Sequence, residues 1–460
     1  LQKNKIYEIS NLNNKGGNEL KILLVRPPRI KQAITLSDFM FSEPLGLEMI
    51  YGVLKENHNI EIFDMMIETI SLKDKIKLCS PEAVGITSLC IDVNKVLDLC
   101  IEVKNEDDQI HTIVGGTQAY LNSEAFFHDA VDHIFEYTNE ENLIELYERL
   151  AQGSMRSKID GIRSKEFGYA STRKKGRNAY MLPDRSSTEK YRREYSYFGY
   201  RPAAIMEFGV GCEKACDFCL RWRIEGYEEG LIDPELTKRD MAQIKEPTIM
   251  MMDNDFFASE EKVKAFLSLI RGMGIKKNFI VYGSVKGIIL YKNAIKEFVE
   301  CGLKAVLVGY EAFKDTELAD YRKKSTIEDN YKAAGILREL GVDVWASFMA
   351  HPDWDANDFS ALRRYIKSLK PQITSISPLT PFPNLPMYKK YEVRLLYNAK
   401  DSGMSLRSYY WELLVTNLYV NIFVNKKTEM IDRYGLMNII RIFTGSLKAF
   451  NKYISLMIKN

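Results

Sequence analysis

Short apolar runs of strand length alternate with helical stretches over most of this chain, and the runs end in Gly, Pro, Ser, Asn or Asp. The first series covers residues 21–25, 60–64, 83–88 and 112–116, with helical periodicity over 45–56 and 93–104 between them. Strand and helix alternate throughout, the pattern of a parallel, doubly wound, Rossmann-type α/β sheet. Ligands of such sheets lie beyond the carboxyl ends of the strands. Pro27, Thr87, Ser88, Gly115 and Gly116 fall there. A second series (203–208, 248–252, 279–282, 305–308, 342–349 and 373–377) has helices starting near Ser259, Lys292, Thr326 and Asn357. That is the spacing of a parallel barrel, whose carboxyl ends carry the chemistry.

At 460 residues the chain exceeds one ordinary core. Its 46% hydrophobic and 27% charged content is that of a globular protein. A net charge of +2 gives no electrostatic case for nucleic acid. Residues 1–20 are polar and read as a flexible arm without a secretory signal. No run reaches the roughly 18 apolar residues of a membrane span. Seven cysteines, three of them clustered, do not make a disulfide framework, so a reducing cytoplasm is the expected location.

Those three occupy Gly211-Cys212-Glu213-Lys214-Ala215-Cys216-Asp217-Phe218-Cys219, spaced C-x-x-x-C-x-x-C. A cubane iron–sulfur cluster takes four thiolates, so a three-cysteine loop leaves one iron open. Zinc is an alternative, though it usually wants a second Cys or His pair, and the next downstream histidine is His351. Three buried structural cysteines are the other alternative. Glu213, Lys214 and Asp217 favour an exposed loop.

With Phe218 in its aromatic slot, the run resembles the signature of the radical S-adenosylmethionine enzymes. The resemblance implies a 4Fe–4S cluster on Cys212, Cys216 and Cys219, with S-adenosylmethionine on the open iron. One-electron reduction, by an external flavodoxin- or ferredoxin-type donor, then yields a 5′-deoxyadenosyl radical that abstracts hydrogen from an unreactive C–H bond. It also implies a partial (β/α)6 barrel over residues 201–390. Asp253 and Asn254 resemble the family's Asp-Asp-x-Phe turn, and Gly309 and Glu311 its Gly-x-Glu stretch. Ser347 stands where the fifth strand offers a polar contact. With Phe218, these are the expected S-adenosylmethionine contacts. Turn, cap and strand roles remain the plain alternatives for Asp253, Asn254 and Ser347.

Residues 21–150 resemble the cobalamin-binding domain found ahead of many such enzymes, with residues 151–200 as a linker. Thr87, Ser88, Gly115, Gly116 and Gln118 stand at its corrin-facing loops. The chain departs from the pattern at Gln118, where His is common. A second departure is Glu136-Tyr137-Thr138-Asn139-Glu140, where the family has a Gly-Glu-Gly-Glu turn. It also lacks the Asp-x-His-x-x-Gly that supplies a lower cobalt ligand. The implied reaction is methylation of an unactivated carbon of a small molecule. A radical rearrangement, oxidation or carbon–carbon coupling, with a cofactor-free first domain, is the runner-up, and a cluster- or corrin-based sensor is third. Residues 391–460 turn helical, with Tyr409, Tyr410, Leu413, Leu414, Leu418 and Tyr419 at helical spacing. This region is expected to cap the barrel and shape the substrate pocket, with a membrane-surface helix as the alternative. Its aromatic content favours a largely apolar substrate, although tyrosine hydroxyls also suit a polar one.

Overall fold

The first series of apolar runs forms β1 (Lys21–Arg26), β2 (Asn59–Asp64), β3 (Ala83–Thr87) and β4 (His111–Gly115). Two three-residue strands follow, β5 (His133–Phe135) and β6 (Ile162–Ser164). The computed structural model describes residues 19–28, 40–89, 92–171, 178–197, 199–380, 385–391 and 404–421, with scattered positions beyond. Two compact units emerge, Leu1–Ile30 with Pro44–Thr188, and Lys31–Glu43 with Glu189–Asn460.

In the first unit the sheet order is β2-β1-β3-β4-β5-β6, parallel except for β6. Leu23, Val25, Val84, Ile86 and Val114 pack with α2 (Leu72–Cys79) and α3 (Val93–Glu106). α1 (Leu45–Leu54) and α5 (Glu140–Ala151) bury Leu47, Leu54, Leu143 and Leu146, and the short α4 (Thr117–Leu121) follows β4. The order reverses between β1 and β3, the switch point where such sheets bind ligands. The sheet runs past residue 150. Ile162–Ser164 pairs antiparallel with β5, inside the stretch expected as a linker. Three residues are too few to show periodicity, and long-range pairing alone makes them a strand.

β4 and β5 begin at His111 and His133, at the end of the sheet opposite those loops. A cavity of about 470 Å³ there is lined by Lys104, His111, Asp132, His133 and Lys165. His133 is buried, its Nδ1 3.0 Å from Ser164 Oγ. Burial, then repulsion from His111, holds its pKa down to about 4. The unfolded chain protonates this group near pH 6.5, so stability is lost as pH falls from about 6.5 through about 4. Thermal melting followed over that range should show the decline, and His133→Leu should flatten it.

The second unit carries β7 (Ala203–Met206), β8 (Thr248–Met251), β9 (Asn278–Gly283), β10 (Leu303–Glu311), β11 (Asp343–Ala350) and β12 (Ile373–Pro378). All six are parallel and pair in chain order, the partial barrel expected from the sequence. Alternate side chains, among them Met206, Met251, Val281, Val306 and Ala346, join the helices in the main core. Phe266 of α6 (Glu260–Gly272) meets Phe256, Phe279 and Phe298 at 5.1, 5.3 and 5.5 Å between ring centres. Burying each such ring is worth about 1.5–3 kcal/mol. Ser259 caps α6, and Thr326 caps α7 (Ile327–Glu339) in a capping box with Asp329.

The carboxy-terminal helix α8 (Leu406–Tyr419) buries Tyr409, Tyr410, Leu413 and Leu414 in this core. Asn421 Nδ2 donates to Thr374 O at 2.9 Å while its Oδ1 accepts from Thr374 N at 3.0 Å. Asn417 does the same for Ile376, at 3.1 and 3.3 Å. Two side-chain amides thus cover the backbone that edge strand β12 would otherwise leave unpaired. Helix α8 packs on the barrel.

Candidate active site

The cysteine loop leaves β7 through Gly211, whose φ is +88°. A Cβ there would stand 2.0 Å from the Glu228 carbonyl oxygen, so only glycine fits. The next turns are held by backbone bonds, Cys212 N to Gly226 O at 3.0 Å and Cys219 N to Cys216 O at 3.1 Å. Trp222 Nε1 donates to Cys216 O at 3.0 Å. Asp217 N donates to Tyr321 O at 3.2 Å, and its side chain pairs with Arg322. Ala215 takes a positive φ of 48°, a strained value for a residue with a Cβ. Cys216 is buried, and Cys212 and Cys219 are half-buried.

Burial pushes the Cys216 thiol up to about 11 and the Cys219 thiol upward. A metal must therefore displace protons to bind here. Among the described residues no three Cys, His, Asp or Glu groups converge on a single-ion site. A cubane takes one thiolate at each of three corners, so its ligands stand further apart than those of one ion. The donor chemistry fits a cluster: three thiols on one loop, with Lys323 beside them. Desolvation lowers the Lys323 pKa, but Glu311 and Cys216 outweigh it and the net shift is upward.

Asn254 ties the loop to β8. Its Nδ2 donates to Gly211 O at 3.0 Å and to Glu225 Oε2 at 2.6 Å, and its Oδ1 accepts from Arg221 Nε at 2.5 Å. Asp253 is wholly buried, Oδ1 accepting from Phe208 N at 2.9 Å and Oδ2 paired with Lys262 Nζ at 2.8 Å. Both side chains thus have protein partners that hold the loop. Arg221 also donates to Met252 O at 2.8 Å and pairs with Glu225 Oε1 at 2.8 Å. Burial pushes the nearby Glu207 carboxyl up to about 7, against the pull of Arg221.

Between Gly309 and Glu311 the register of β10 against β11 slips, and Glu311 takes φ = 65°. This bulge re-aims the Glu311 side chain. Its Oε1 lies 2.8 Å from Lys323 Nζ, which in turn sits 5.8 Å from the centre of the Phe218 ring. A Cβ on Gly309 would meet Glu311 Oε1 at 2.1 Å, so glycine makes room for the pair. Phe218 also meets Tyr321 edge-on at 5.8 Å. Ser347 pairs in register with Gly309. His351 accepts from Asp353 N at 3.2 Å, a bond within its own loop.

The structure thus gathers Phe218, Asn254 and Glu311 around the three cysteines, with Asp253 behind them. Lys323, Arg221, Glu225 and Lys262 escaped the sequence reading. Arg221 and Glu225 leave an i,i+4 signal on the short helix after Cys219, whereas Lys323 leaves none.

In the other unit, Ser88 N and Oγ both donate to Gly115 O, at 2.8 and 2.7 Å, and Gln118 N donates to Ser88 O at 3.3 Å. Gly116 has φ = 95°, and a Cβ there would lie 2.7 Å from Ser88 O and 2.8 Å from Thr87 Oγ1. The loops after β3 and β4 are zipped together, with the Gly116 backbone exposed. Tyr137 turns inward and its hydroxyl donates to Asp160 at 2.7 Å, so this departure from the family turn is absorbed in the protein.

The family profile described as the Radical SAM superfamily matches residues 206–366, the barrel from β7 into the helix after β11. This barrel is a radical S-adenosylmethionine domain. A domain of this family makes the chain an enzyme that works with a 4Fe–4S cluster and S-adenosylmethionine on a small molecule, with an electron donor. It is 28% identical over 357 residues to a hopanoid C-3 methylase of Methylococcus capsulatus, covering 75% of this chain and 68% of that protein. Its fold is similar to that of the radical S-adenosylmethionine methyltransferase TsrM from Kitasatospora setae, solved with cobalamin and a [4Fe-4S] cluster. The TM-score is 0.64 at 15% identity, over 81% of this chain and 78% of that one. The cobalamin-dependent enzyme OxsB, solved with aqua-cobalamin and S-adenosylmethionine, gives a TM-score of 0.64 at 14% identity, over 96% and 80%. No helix among the described residues is long and apolar enough to cross a membrane.

Proposed function

We propose that this chain methylates an unactivated carbon of a largely apolar, isoprenoid-like small molecule, using a corrin held by its first unit. The observation that carries this reading is the likeness to a hopanoid C-3 methylase over 75% of the chain, more than either compact unit contains. The zipped β3 and β4 loops support it, since they stand beside a sheet switch point with glycine backbone exposed. Cys212, Cys216 and Cys219 hold the cluster in this reading, with the Lys323 cation beside their charge. Glu311 and Ser347 face S-adenosylmethionine, with Phe218 and Gly309 shaping that side, while Asp253 and Asn254 keep the loop in place. Thr87, Gly115, Gly116 and Gln118 border the corrin, and Ser88 positions them. When bound, the cluster and S-adenosylmethionine supply the hydrogen-abstracting radical, and the corrin supplies the methyl group. A flavodoxin- or ferredoxin-type protein delivers the electrons.

Anaerobic reconstitution with iron, sulfide and hydroxocobalamin, then desalting, tests the carrier. The wild-type chain should keep a corrin absorption spectrum. Gly116→Val should lose roughly tenfold or more of it while keeping about four irons per chain, because a Cβ there strikes Ser88 O and Thr87 Oγ1 and forces the two loops apart. A wild-type chain that retains no corrin contradicts the reading.

A further inference from the structure

The barrel strands alternate, and the side chains outside the helix-facing core line the inner wall in rows. Register places Tyr282, Leu307, Trp345 and Ile373 at one level. Continuing the ladders of β8 with β7 and β9 by one residue adds Met252 and Glu207, and Met252 N donates to Met206 O at 2.7 Å. None of the six belongs to the helix-facing core. One end of the row is therefore acidic and the rest apolar or aromatic. Tyr197 Oη lies 2.6 Å from Tyr282 Oη, and Tyr200 packs 6.4 Å from Trp345.

Glu207 is the anomaly. Only 25% of its side chain is exposed, yet among the described residues no donor hydrogen-bonds its carboxylate. Its charged neighbour Arg221 stands 4.0 Å away and is committed to Glu225, Asn254 and Met252 O. A half-desolvated carboxylate without a donor is costly to keep and marks a candidate ligand contact.

We propose that Glu207 is the polar anchor for the substrate: its carboxylate accepts a hydrogen bond from a hydroxyl or ammonium group on an otherwise apolar skeleton lying along Met252 and Leu307, with the buried Trp345 next in the row. This rests on the apolar-substrate reading above and narrows it to molecules with a donor at one end. Glu207 is a specificity-determining residue here. The bond to hydrogen breaks elsewhere on the substrate.

The test uses the reconstituted full chain and two probes, a fluorescent polyene sterol alcohol and its acetate ester, which lacks the donor. Binding is read by energy transfer from tryptophan, and Trp345→Phe should weaken the transfer if the probe lies on this wall. Wild type should bind the alcohol roughly tenfold tighter than the ester. Glu207→Leu should bring the two within about twofold, with Glu207→Gln, which keeps an acceptor, in between. Iron content per chain monitors folding of each variant. Equal binding of both probes by wild type overturns this proposal alone, as does a preference that survives in Glu207→Leu. A raised KM for S-adenosylmethionine in Glu207→Leu, with the preference intact, places the carboxylate on the cofactor and also overturns it. If neither probe binds wild type, the apolar-substrate reading fails and takes this proposal with it.

Discussion

Cys216→Ala should reduce bound iron from about four per chain to below about one, and reductive release of 5′-deoxyadenosine by on the order of a thousandfold or more. Cys216 is the buried thiol of the loop, its backbone pinned by Trp222 and by Cys219 N. Cys100→Ala is the contrasting case. Cys100 is buried in the sheet core of the other unit, far from the loop in sequence, so losing its sulfur should cost packing and leave iron content alone. Iron and sulfide analysis of both variants after anaerobic reconstitution separates a ligand from a packing residue. Iron retained at the wild-type level in Cys216→Ala would rule out its place in the cluster.

The second large effect is expected at Asp253. Removing one partner of a buried ion pair costs about 3–5 kcal/mol, because the other charge is left stranded. Asp253 and Lys262 are such a pair, with side chains 0% and 10% exposed. After Asp253→Asn, Lys262 loses its counter-charge and, among the described residues, is left with the Asp255 carbonyl at 3.1 Å and the face of Phe256 at 5.8 Å beside a neutral amide. The barrel's melting temperature should fall by on the order of 10 °C. The drop should appear in the apo chain, before any cofactor is added. A variant that melts like wild type but binds S-adenosylmethionine poorly would make Asp253 a direct ligand instead.

The sequence carried the barrel well because its strands are contiguous apolar runs and several of its helices announce their start. Ser259 and Thr326 cap the helices the spacing placed there. The cysteine loop was equally legible, since its three cysteines lie within eight residues. What lay hidden depends on register and distance. β5 and β6 are three residues each and exist only through pairing. The slip at Tyr310 that re-aims Glu311 is a relation between strands. Lys323 meets Glu311 and Phe218 across long sequence gaps. Asp253 and Asn254 show the reverse case. Their motif pointed at the ligand, whereas the structure commits their polar atoms to Phe208, Lys262, Gly211, Glu225 and Arg221. The row that joins Glu207 to Trp345 spans five strands and has no sequence signature at all.

The most direct measurement is the fate of a deuterated methyl group. The reconstituted chain, loaded with hydroxocobalamin, would be given S-adenosylmethionine labelled in its methyl group, a reductant and a hopanoid alcohol. Mass spectrometry should find a hopanoid carrying all three deuterons on a new carbon, together with 5′-deoxyadenosine. Release of 5′-deoxyadenosine with every deuteron left in methionine, and no methylated hopanoid, would contradict the assignment of this chain as a carbon methylase of such molecules.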